Sequence, residues 1–202
     1  MERIGVYGGT FNPIHNGHLH LMCEFIDRLE LSKILVIPTY RPPHKMEIQL
    51  ADTEDRLNMC RLAAGDDRRL EVSDIEIKRG GKSYTAETLS ELKELYPDSQ
   101  LFLLMGEDML ETLKYWRCPG QIFKNAVIAA APRSAKGLER LEEMRRELEQ
   151  DFCARIILES ISFLDISSTE IRRRLQANET TGDMLPTAVE SYIRDHKIYK
   201  GA

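Results

Sequence analysis

Short apolar runs that alternate with helical patterns restrict the fold of this 202-residue sequence more than any other feature. Four of the six runs are almost entirely apolar, as expected for parallel strands that are covered on both faces. We predict strands at residues 3–7, 33–38, 70–78, 101–105, 126–131 and 155–158. Because helices separate the strands, the sequence predicts an α/β fold with a Rossmann-like, doubly wound parallel sheet and right-handed crossovers.

The run at residues 70–78 is less regular than the others. Leu70 and Val72 alternate with polar residues, whereas Ile75 and Ile77 resume the alternation out of phase. A change of phase inside a strand is typical of a β-bulge or of a strand at the edge of a sheet. We therefore predict one irregular strand over this whole run.

The segments between the strands carry apolar residues at helical spacing. Thr85 precedes one such segment, and its hydroxyl is placed to cap the helix that follows. The strongly charged stretch at residues 134–151 predicts a solvated helix face.

The end of the chain differs from the rest because helical segments follow one another without a strand between them. They lie near residues 168–175 and 186–196. We predict a single domain over residues 1–202, with a Rossmann-like core at 1–165 and a small C-terminal helical lobe at 166–202.

The charge balance limits the partners that this chain can bind. Its net charge is −5 at pH 7, whereas a broad nucleic-acid or anionic-membrane surface needs a continuous basic field. No apolar run approaches the ~18 residues of a membrane-spanning helix, and the first residues do not form a basic and then apolar leader. We predict a cytoplasmic protein without nucleic-acid or membrane partners. A small anionic ligand remains compatible, because a few N–H groups and cations suffice to bind it.

The four cysteines do not form a recognisable metal or redox motif. Cys23, Cys60, Cys118 and Cys153 are spread along the chain without a close pair. We predict that they are buried free thiols.

The first predicted strand runs directly into the segment GGTFNPIHNGH at residues 8–18. Gly8 and Gly9 allow backbone N–H groups to approach a ligand, and the helix that follows adds free N–H donors and a positive dipole end. Gly17 permits a bend that brings the imidazoles of His15 and His18 to one ligand, where they can donate hydrogen bonds to phosphate oxygens. Helix capping and metal chelation are the alternatives, and a pair of histidines without a nearby carboxylate or thiolate is a poor zinc site.

A second motif, ISSTEIR, lies near the other end of the chain at residues 166–172. Its serine and threonine hydroxyls can cap a helix, and Arg172, one turn later, offers a bidentate cation to a phosphate. Taken alone, the segment is better explained as a capping box between Ser167 and Glu170 with a surface arginine.

Together these motifs resemble the nucleotidyltransferase superfamily with the His-x-Gly-His element, and in detail the bacterial nicotinate mononucleotide adenylyltransferase family. The resemblance extends over nearly the whole chain. It implies that the catalytic residues are His15, His18 and Arg172. It implies that ATP and its phosphates are bound by Gly8, Gly9, Thr10, Phe11, Lys45, Gly106, Asp108, Arg133, Ser167 and Ser168. It implies a pyridine-nucleotide pocket formed by Ser83, Tyr84, Thr85, Trp116 and Arg117.

Two of these assignments have simpler explanations when the resemblance is set aside. An Asp after a strand, such as Asp108, is more often a helix cap, and a lone tryptophan such as Trp116 is more often a core residue. The resemblance implies instead that Asp108 lies beside the nucleotide sugars and that Trp116 stacks on the pyridine ring.

The chain departs from the family at two positions. Asn12 stands where the family usually has Asp, and the loop should keep its shape because Asn and Asp favour similar turns. Arg117 stands where many relatives have Tyr, and the added cation suits a pyridine ring that carries a carboxylate.

The resemblance implies adenylyl transfer from ATP to nicotinate mononucleotide, which forms nicotinate adenine dinucleotide and pyrophosphate in NAD biosynthesis. The attacking phosphate is already ionised, so in-line displacement needs positioning and charge neutralisation rather than a general base. Mg²⁺ is expected to arrive with ATP, because the sequence shows no dedicated carboxylate cage. The alternatives are a preference for nicotinamide mononucleotide, another small phosphate acceptor, or a catalytically silent nucleotide sensor. The oligomeric state stays open, with a homodimer as one option.

Overall fold

The computed structural model describes residues 1–43, 50–132 and 135–199. Within these ranges, one six-stranded parallel sheet has the strand order β3-β2-β1-β4-β5-β6. Its strands are β1 (Arg3–Gly9), β2 (Lys33–Pro38), β3 (Leu70–Val72), β4 (Gln100–Gly106), β5 (Ala126–Ala131) and β6 (Ile156–Leu158). This is the doubly wound order, in which the direction of winding reverses between β1 and β4. The predicted fold class is confirmed.

Helices connect the strands and cover both faces of the sheet. They are α1 (Asn16–Leu29), α2 (Thr53–Ala64), α3 (Ile75–Arg79), α4 (Thr85–Leu95), α5 (Glu107–Thr112), α6 (Pro119–Asn125), α7 (Ala135–Phe152), α8 (Ser168–Gln176) and α9 (Thr187–Asp195). Short 3-10 turns lie at Leu113–Tyr115 and Gly182–Met184. No helix in the described ranges is long and apolar enough to cross a membrane.

Two hydrophobic clusters lie on opposite faces of the sheet, which explains why the strands are apolar at consecutive positions. In β2, Ile34 and Val36 belong to the cluster that contains Phe25 of α1, whereas Leu35 belongs to the cluster that contains Leu89 of α4. The C-terminal helices α8 and α9 pack on the α1 side through buried side chains that include Ile171, Val189 and Ile193. They therefore continue the helical layer that also holds the start of α1.

The prediction of a single strand at residues 70–78 is wrong beyond Val72. The strand ends there, at the edge of the sheet as predicted, and the out-of-phase residues form the short helix α3. This helix turns the side chain of Glu76 inward, where it is 6% exposed and accepts a hydrogen bond from Thr88 Oγ1 at 2.7 Å. The change of phase in the sequence marked a change of secondary structure rather than a bulge.

Two smaller predictions also need correction. The helix that Thr85 was expected to cap begins at Thr85 itself, with Tyr84 at the cap position and no side-chain capping bond. All four cysteines are free, but of the four only Cys60 is buried: Cys23 is half-buried, and Cys118 and Cys153 are exposed. Both have positive φ angles, of 54° and 51°, because they lie in turns at helix ends, and such turns face solvent.

Candidate active site

A cavity of about 540 Å³ lies at the carboxyl ends of β1 and β4, where the strand order reverses. Ligands of doubly wound sheets bind at this position. The walls come from several parts of the chain, which include the loop after β1, the segment after β2, the start of α4, the residues after β4 and the start of α8. The cavity is thus formed by segments that are distant in sequence.

Most of the site residues implied by the resemblance line this cavity. They are Gly8, Gly9, Thr10, Phe11, His18, Ser83, Tyr84, Thr85, Trp116, Arg117, Ser168 and Arg172. Four others lie directly beside lining residues without forming the wall themselves, and these are His15, Gly106, Asp108 and Ser167. Lys45 and Arg133 fall outside the described residues.

The two histidines of the first motif form a stacked pair at the start of α1. Their ring centroids are 3.6 Å apart, with 25° between the ring planes. The backbone N–H of His15 donates to Nδ1 of His18 at 3.2 Å. Because Nδ1 accepts, the neutral His18 ring carries its proton on Nε2. His18 therefore presents a hydrogen-bond donor while it lines the cavity.

Burial keeps both imidazoles neutral at physiological pH. It lowers the pKa of His15 to about 4 and lowers that of His18 well below its usual value, where the neighbouring His15 adds to the effect. Gly17 makes this packing possible, since a Cβ at that position would lie 3.1 Å from His15 Nδ1. Gly17 is the second residue of α1 rather than the bend predicted from the sequence, and its lack of a side chain leaves room for the His15 ring at the helix start.

The second motif meets the first across the cavity. Ser168 Oγ donates to the backbone oxygen of Pro13 at 2.9 Å, and Arg172 Nη1 donates to the backbone oxygen of Asn12 at 2.8 Å. These bonds fix the start of α8 against the loop after β1. As a result, His18 and Arg172 line the same cavity although 154 positions separate them in the sequence.

The capping explanation of the second motif is also partly right. Ser167 Oγ accepts from the backbone N–H of Glu170 at 3.2 Å, as an N-cap should. The Glu170 carboxylate pairs with Arg173 and Arg174 rather than reaching back to the cap. Helix capping and the placement of Arg172 at the cavity therefore coexist in one segment.

Asn12 shows why the departure from Asp is tolerated at this position. Its Oδ1 accepts two hydrogen bonds, from the backbone N–H of Ala51 at 3.0 Å and from the Tyr199 hydroxyl at 2.7 Å. Both contacts require an acceptor oxygen, which the amide supplies as well as a carboxylate does. The peptide bond that follows, between Asn12 and Pro13, is cis.

A buried arginine that sequence reasoning missed supports the same loop. Arg56 of α2 is 1% exposed, and its guanidinium donates to backbone oxygens of the loop after β1 and of the segment after β2. The acceptors are the carbonyls of Thr10, Thr39, Tyr40 and Ala51 and the hydroxyl of Thr53. The available signal was a charged residue on the apolar face of a helix, one turn before the buried Cys60.

The opposite end of the cavity is built from aromatic and charged side chains. Trp116 Nε1 donates to Thr112 Oγ1 at 3.1 Å, which fixes the orientation of the indole. The Arg117 guanidinium lies 4.3 Å from the centre of the Tyr84 ring and 3.8 Å from a carboxylate oxygen of Glu87. This end therefore offers an aromatic face beside an exposed cation.

Ser83 lines this end, but its hydroxyl is already engaged within the protein. It accepts from the backbone N–H of Tyr40 at 3.0 Å and is hydrogen-bonded to the buried Glu76. Burial raises the pKa of Glu76, although hydrogen bonds from Thr88 and Ser83 oppose the rise. Glu76 and Thr88 line the cavity and were missed because an acid inside an apolar run gave no sign of pointing inward.

The residues after β4 begin a short helix beside the cavity. Gly106 is at the N-cap position of α5, and Asp108 lies exposed in its first turn. A carboxylate in this position suits the positive end of the helix dipole. Among the residues that the structure describes, no group of three or more histidine, cysteine, aspartate or glutamate side chains could hold a metal ion.

Among the described residues, the end of the cavity at His18 and Arg172 combines neutral donors, backbone N–H groups and the Arg172 guanidinium. Such a set binds a polyphosphate and can follow a charge that moves between its oxygens. The aromatic end, with Trp116 and Arg117, suits a planar ring with an anionic substituent.

Comparison with known proteins agrees with this geometry. The model of the cytidylyltransferase-like family matches residues 6–174. A probable nicotinate-nucleotide adenylyltransferase of Clostridium tetani is 34% identical over 200 residues, which cover 99% of this chain and 100% of the relative. A protein of the same name from Neisseria meningitidis serogroup B is 39% identical over 207 residues, which cover 99% of this chain and 100% of the relative.

The fold has solved counterparts as well. The nicotinic acid mononucleotide adenylyltransferase of Plasmodium falciparum, complexed with NaAD, superposes with a TM-score of 0.80 at 19% sequence identity. The alignment covers 98% of each chain, so the two proteins share the whole fold. On the family match and the full-length relatives together, this chain belongs to the cytidylyltransferase-like family, among the relatives that carry the name nicotinate-nucleotide adenylyltransferase.

Proposed function

We propose that this protein transfers the adenylyl group of ATP to nicotinate mononucleotide, with formation of nicotinate adenine dinucleotide and pyrophosphate in NAD biosynthesis. The observation that carries the proposal is the meeting of His18 and Arg172 in one cavity at the switch point of the sheet. The names of the full-length relatives support the choice of acceptor.

The reaction follows from the arrangement at the phosphate end. A phosphate oxygen of the mononucleotide attacks the α-phosphorus of ATP, the new P–O bond forms, and the bond to the β-phosphate bridging oxygen breaks as pyrophosphate leaves. The nucleophile is ionised at neutral pH, so no side chain has to remove a proton. Catalysis then consists of holding the two reactants in line and stabilising the charge that develops.

Individual roles are assigned by position. His18 donates from Nε2 to the α-phosphate, Arg172 binds the polyphosphate, and His15 supports the His18 ring by stacking on it. The backbone of residues 8–11 and the start of α8 at Ser167 and Ser168 complete the phosphate side. We assign the sugar side to Gly106 and Asp108, and further phosphate contacts to Lys45 and Arg133.

The other end of the cavity binds the pyridine mononucleotide. Trp116 stacks on the ring, and Arg117 together with the start of α4 at Tyr84 and Thr85 receives the carboxylate. Ser83 acts indirectly by holding Glu76 and the backbone of Tyr40. A carboxylate gains from the Arg117 charge and an amide does not, so this end favours nicotinate over nicotinamide.

Mg²⁺ would be carried by ATP and held by its phosphate oxygens, with the protein binding the nucleotide around it. When bound, Mg²⁺ would neutralise part of the triphosphate charge, and the protein contributes the contacts already described.

We also propose a single domain with the division at residue 165, a cytoplasmic location, and no nucleic-acid or membrane partner, in keeping with the net charge of −5.

The test is a panel of acceptors with a direct readout of both products. Purified protein, ATP and Mg²⁺ are incubated with nicotinate mononucleotide, nicotinamide mononucleotide, pantetheine phosphate or glycerol phosphate, and CTP replaces ATP in a parallel series. We expect pyrophosphate and the dinucleotide to form fastest with nicotinate mononucleotide and ATP. Faster turnover of another acceptor would make that compound the substrate in place of nicotinate mononucleotide. ATP binding without release of pyrophosphate with any acceptor would indicate a nucleotide sensor.

A further inference from the structure

A partly buried chain of hydrogen bonds joins Tyr199, the last described residue, to the loop after β1. The Tyr199 hydroxyl donates to Asn12 Oδ1 at 2.7 Å, across 187 positions of sequence. Asn12 is 4% exposed, so water has little access to compete for this bond.

Asn12 connects Tyr199 to Arg172, which lines the cavity. While its side-chain oxygen accepts from Tyr199, its backbone oxygen accepts from Arg172 Nη1 at 2.8 Å. Two further bonds restrain the Arg172 side chain and the segment around it: Arg172 Nη2 donates to Thr169 Oγ1, and Ala51 N–H donates to Asn12 Oδ1. Asn12 is therefore held through its side chain and contacts the Arg172 guanidinium through its backbone oxygen, while Thr169 holds the other side of the guanidinium.

The Tyr199 phenol keeps its proton for this contact. Burial raises its pKa well above the ordinary value, even though Arg172 and Arg56 lie close enough to oppose the rise. The ring is held by the backbone that precedes it, since Ile198 N–H donates to the carbonyl of Ile193 at 3.0 Å and the Ile198 side chain belongs to the core. The Tyr199 hydroxyl is thus a fixed, neutral hydrogen-bond donor beside the loop after β1.

We propose that the Tyr199 hydroxyl is a positioning group for ATP: it orients Asn12 and, through the Asn12 carbonyl, holds Arg172 at the polyphosphate side of the cavity. The proposal rests on the proposed adenylyl transfer only for the identity of the nucleotide. It predicts that the end of the chain contributes to ATP binding without touching the nucleotide.

Tyr199→Phe removes the hydroxyl and keeps the ring. Loss of one neutral hydrogen bond in this chain should raise the Kd for ATP, measured by titration calorimetry, and the KM for ATP by about fivefold each. The KM for nicotinate mononucleotide should stay within twofold, because Trp116 and Arg117 lie at the other end of the cavity.

Tyr192→Phe is the matched control. Tyr192 is also half-buried near the C-terminus, and its hydroxyl donates to Asp55 at 2.9 Å and accepts from Asn58 at 3.2 Å. These two bonds tie α9 to α2 and, unlike the bond of Tyr199, do not involve Asn12. The control should therefore lose stability like Tyr199→Phe, measured by denaturant unfolding, and keep the ATP affinity of the unmodified protein.

A double variant separates positioning from general support. In an Arg172→Ala background, Tyr199→Phe should have no further effect on the Kd for ATP, because the group that it positions is gone. The proposal is overturned if Tyr199→Phe binds ATP normally, if Tyr192→Phe weakens ATP binding equally, or if the Tyr199 and Arg172 effects add. A protein that binds ATP but forms no dinucleotide would contradict the proposed function and leave this comparison of ATP affinities intact.

Discussion

The phosphate end and the pyridine end of the cavity are built in different ways. At the phosphate end, the loop after β1 is held by buried hydrogen bonds from Arg56, Tyr199 and the start of α8. At the pyridine end, the recognising groups are side chains with much greater exposure, and the Arg117 side chain is 56% exposed. The comparison teaches that the geometry of the chemistry is fixed by buried structure, whereas acceptor choice depends on side chains that substitution can change without repacking the core.

The largest expected effect is at the phosphate end. His18→Ala should lower kcat roughly 10²-fold or more, because it removes a donor aimed at the developing charge. Steady-state rates of pyrophosphate release measure the loss. His20→Ala, on the same helix, is the control. The His20 side chain is hydrogen-bonded to the backbone oxygen of Ser162, away from the cavity lining, so this variant should keep kcat within twofold. Equal losses in both variants would show that the His18 effect is structural.

Arg172→Lys comes next. Lysine keeps the charge but cannot donate to Asn12 and to a phosphate in the same fork geometry, so kcat/KM for ATP should fall by about 30-fold. Arg173→Lys is the control on the same helix, since Arg173 is paired with Glu170 and Glu179 at the surface. A normal kcat/KM in Arg172→Lys would remove this arginine from the polyphosphate site.

Trp116→Leu tests whether the two ends are separable. Loss of the stacking face should raise the KM for nicotinate mononucleotide by about tenfold and leave the KM for ATP within twofold. Initial rates measured with each substrate varied in turn provide both values. A parallel rise in the two KM values would mean that the ends are not independent.

Arg117→Met should give a smaller effect that concerns specificity alone. The ratio of kcat/KM for nicotinate to nicotinamide mononucleotide should fall by about fivefold, because an exposed cation is partly screened by solvent. An unchanged ratio would place carboxylate recognition on other groups, such as the backbone at the start of α4.

The buried histidine pair should also make the stability of the folded protein depend on pH. Because burial lowers the pKa of His15 to about 4, the unfolded chain binds this proton more tightly, and stability falls as the pH drops from about 6.5 toward 4. Between pH 7 and pH 5 the contribution of His15 amounts to about 2 kcal/mol. His15→Asn should therefore lose that much less unfolding free energy over this interval, as measured by urea denaturation. Identical pH dependence in the two proteins would contradict the assignment.

Sequence reasoning could find the sheet and the phosphate motifs because both depend on local pattern. Apolar runs report strands covered on two faces, and the glycines at the end of β1 and the histidines at the start of α1 lie close together in the sequence, between residues 8 and 18. The start of α8 was also recognisable, since Ser167 caps it through a local bond.

The supporting residues could not be found in this way because their partners are distant in sequence. A charge on the apolar face of α2 was the one signal for Arg56, but its backbone partners leave no trace in residue types. Tyr199 meets Asn12 only after the whole chain has folded. Glu76 was missed for a related reason: its inward direction follows from the short helix α3, which the irregular run at residues 70–78 did not predict.

The central claim is that His18 and Arg172 bind a single polyphosphate. A crystal structure of the protein with a non-hydrolysable ATP analogue and Mg²⁺ tests it most directly. The account predicts His18 Nε2 and an Arg172 guanidinium nitrogen within about 3 Å of oxygens of the same triphosphate. A triphosphate bound elsewhere, or one that contacts neither side chain, would contradict it.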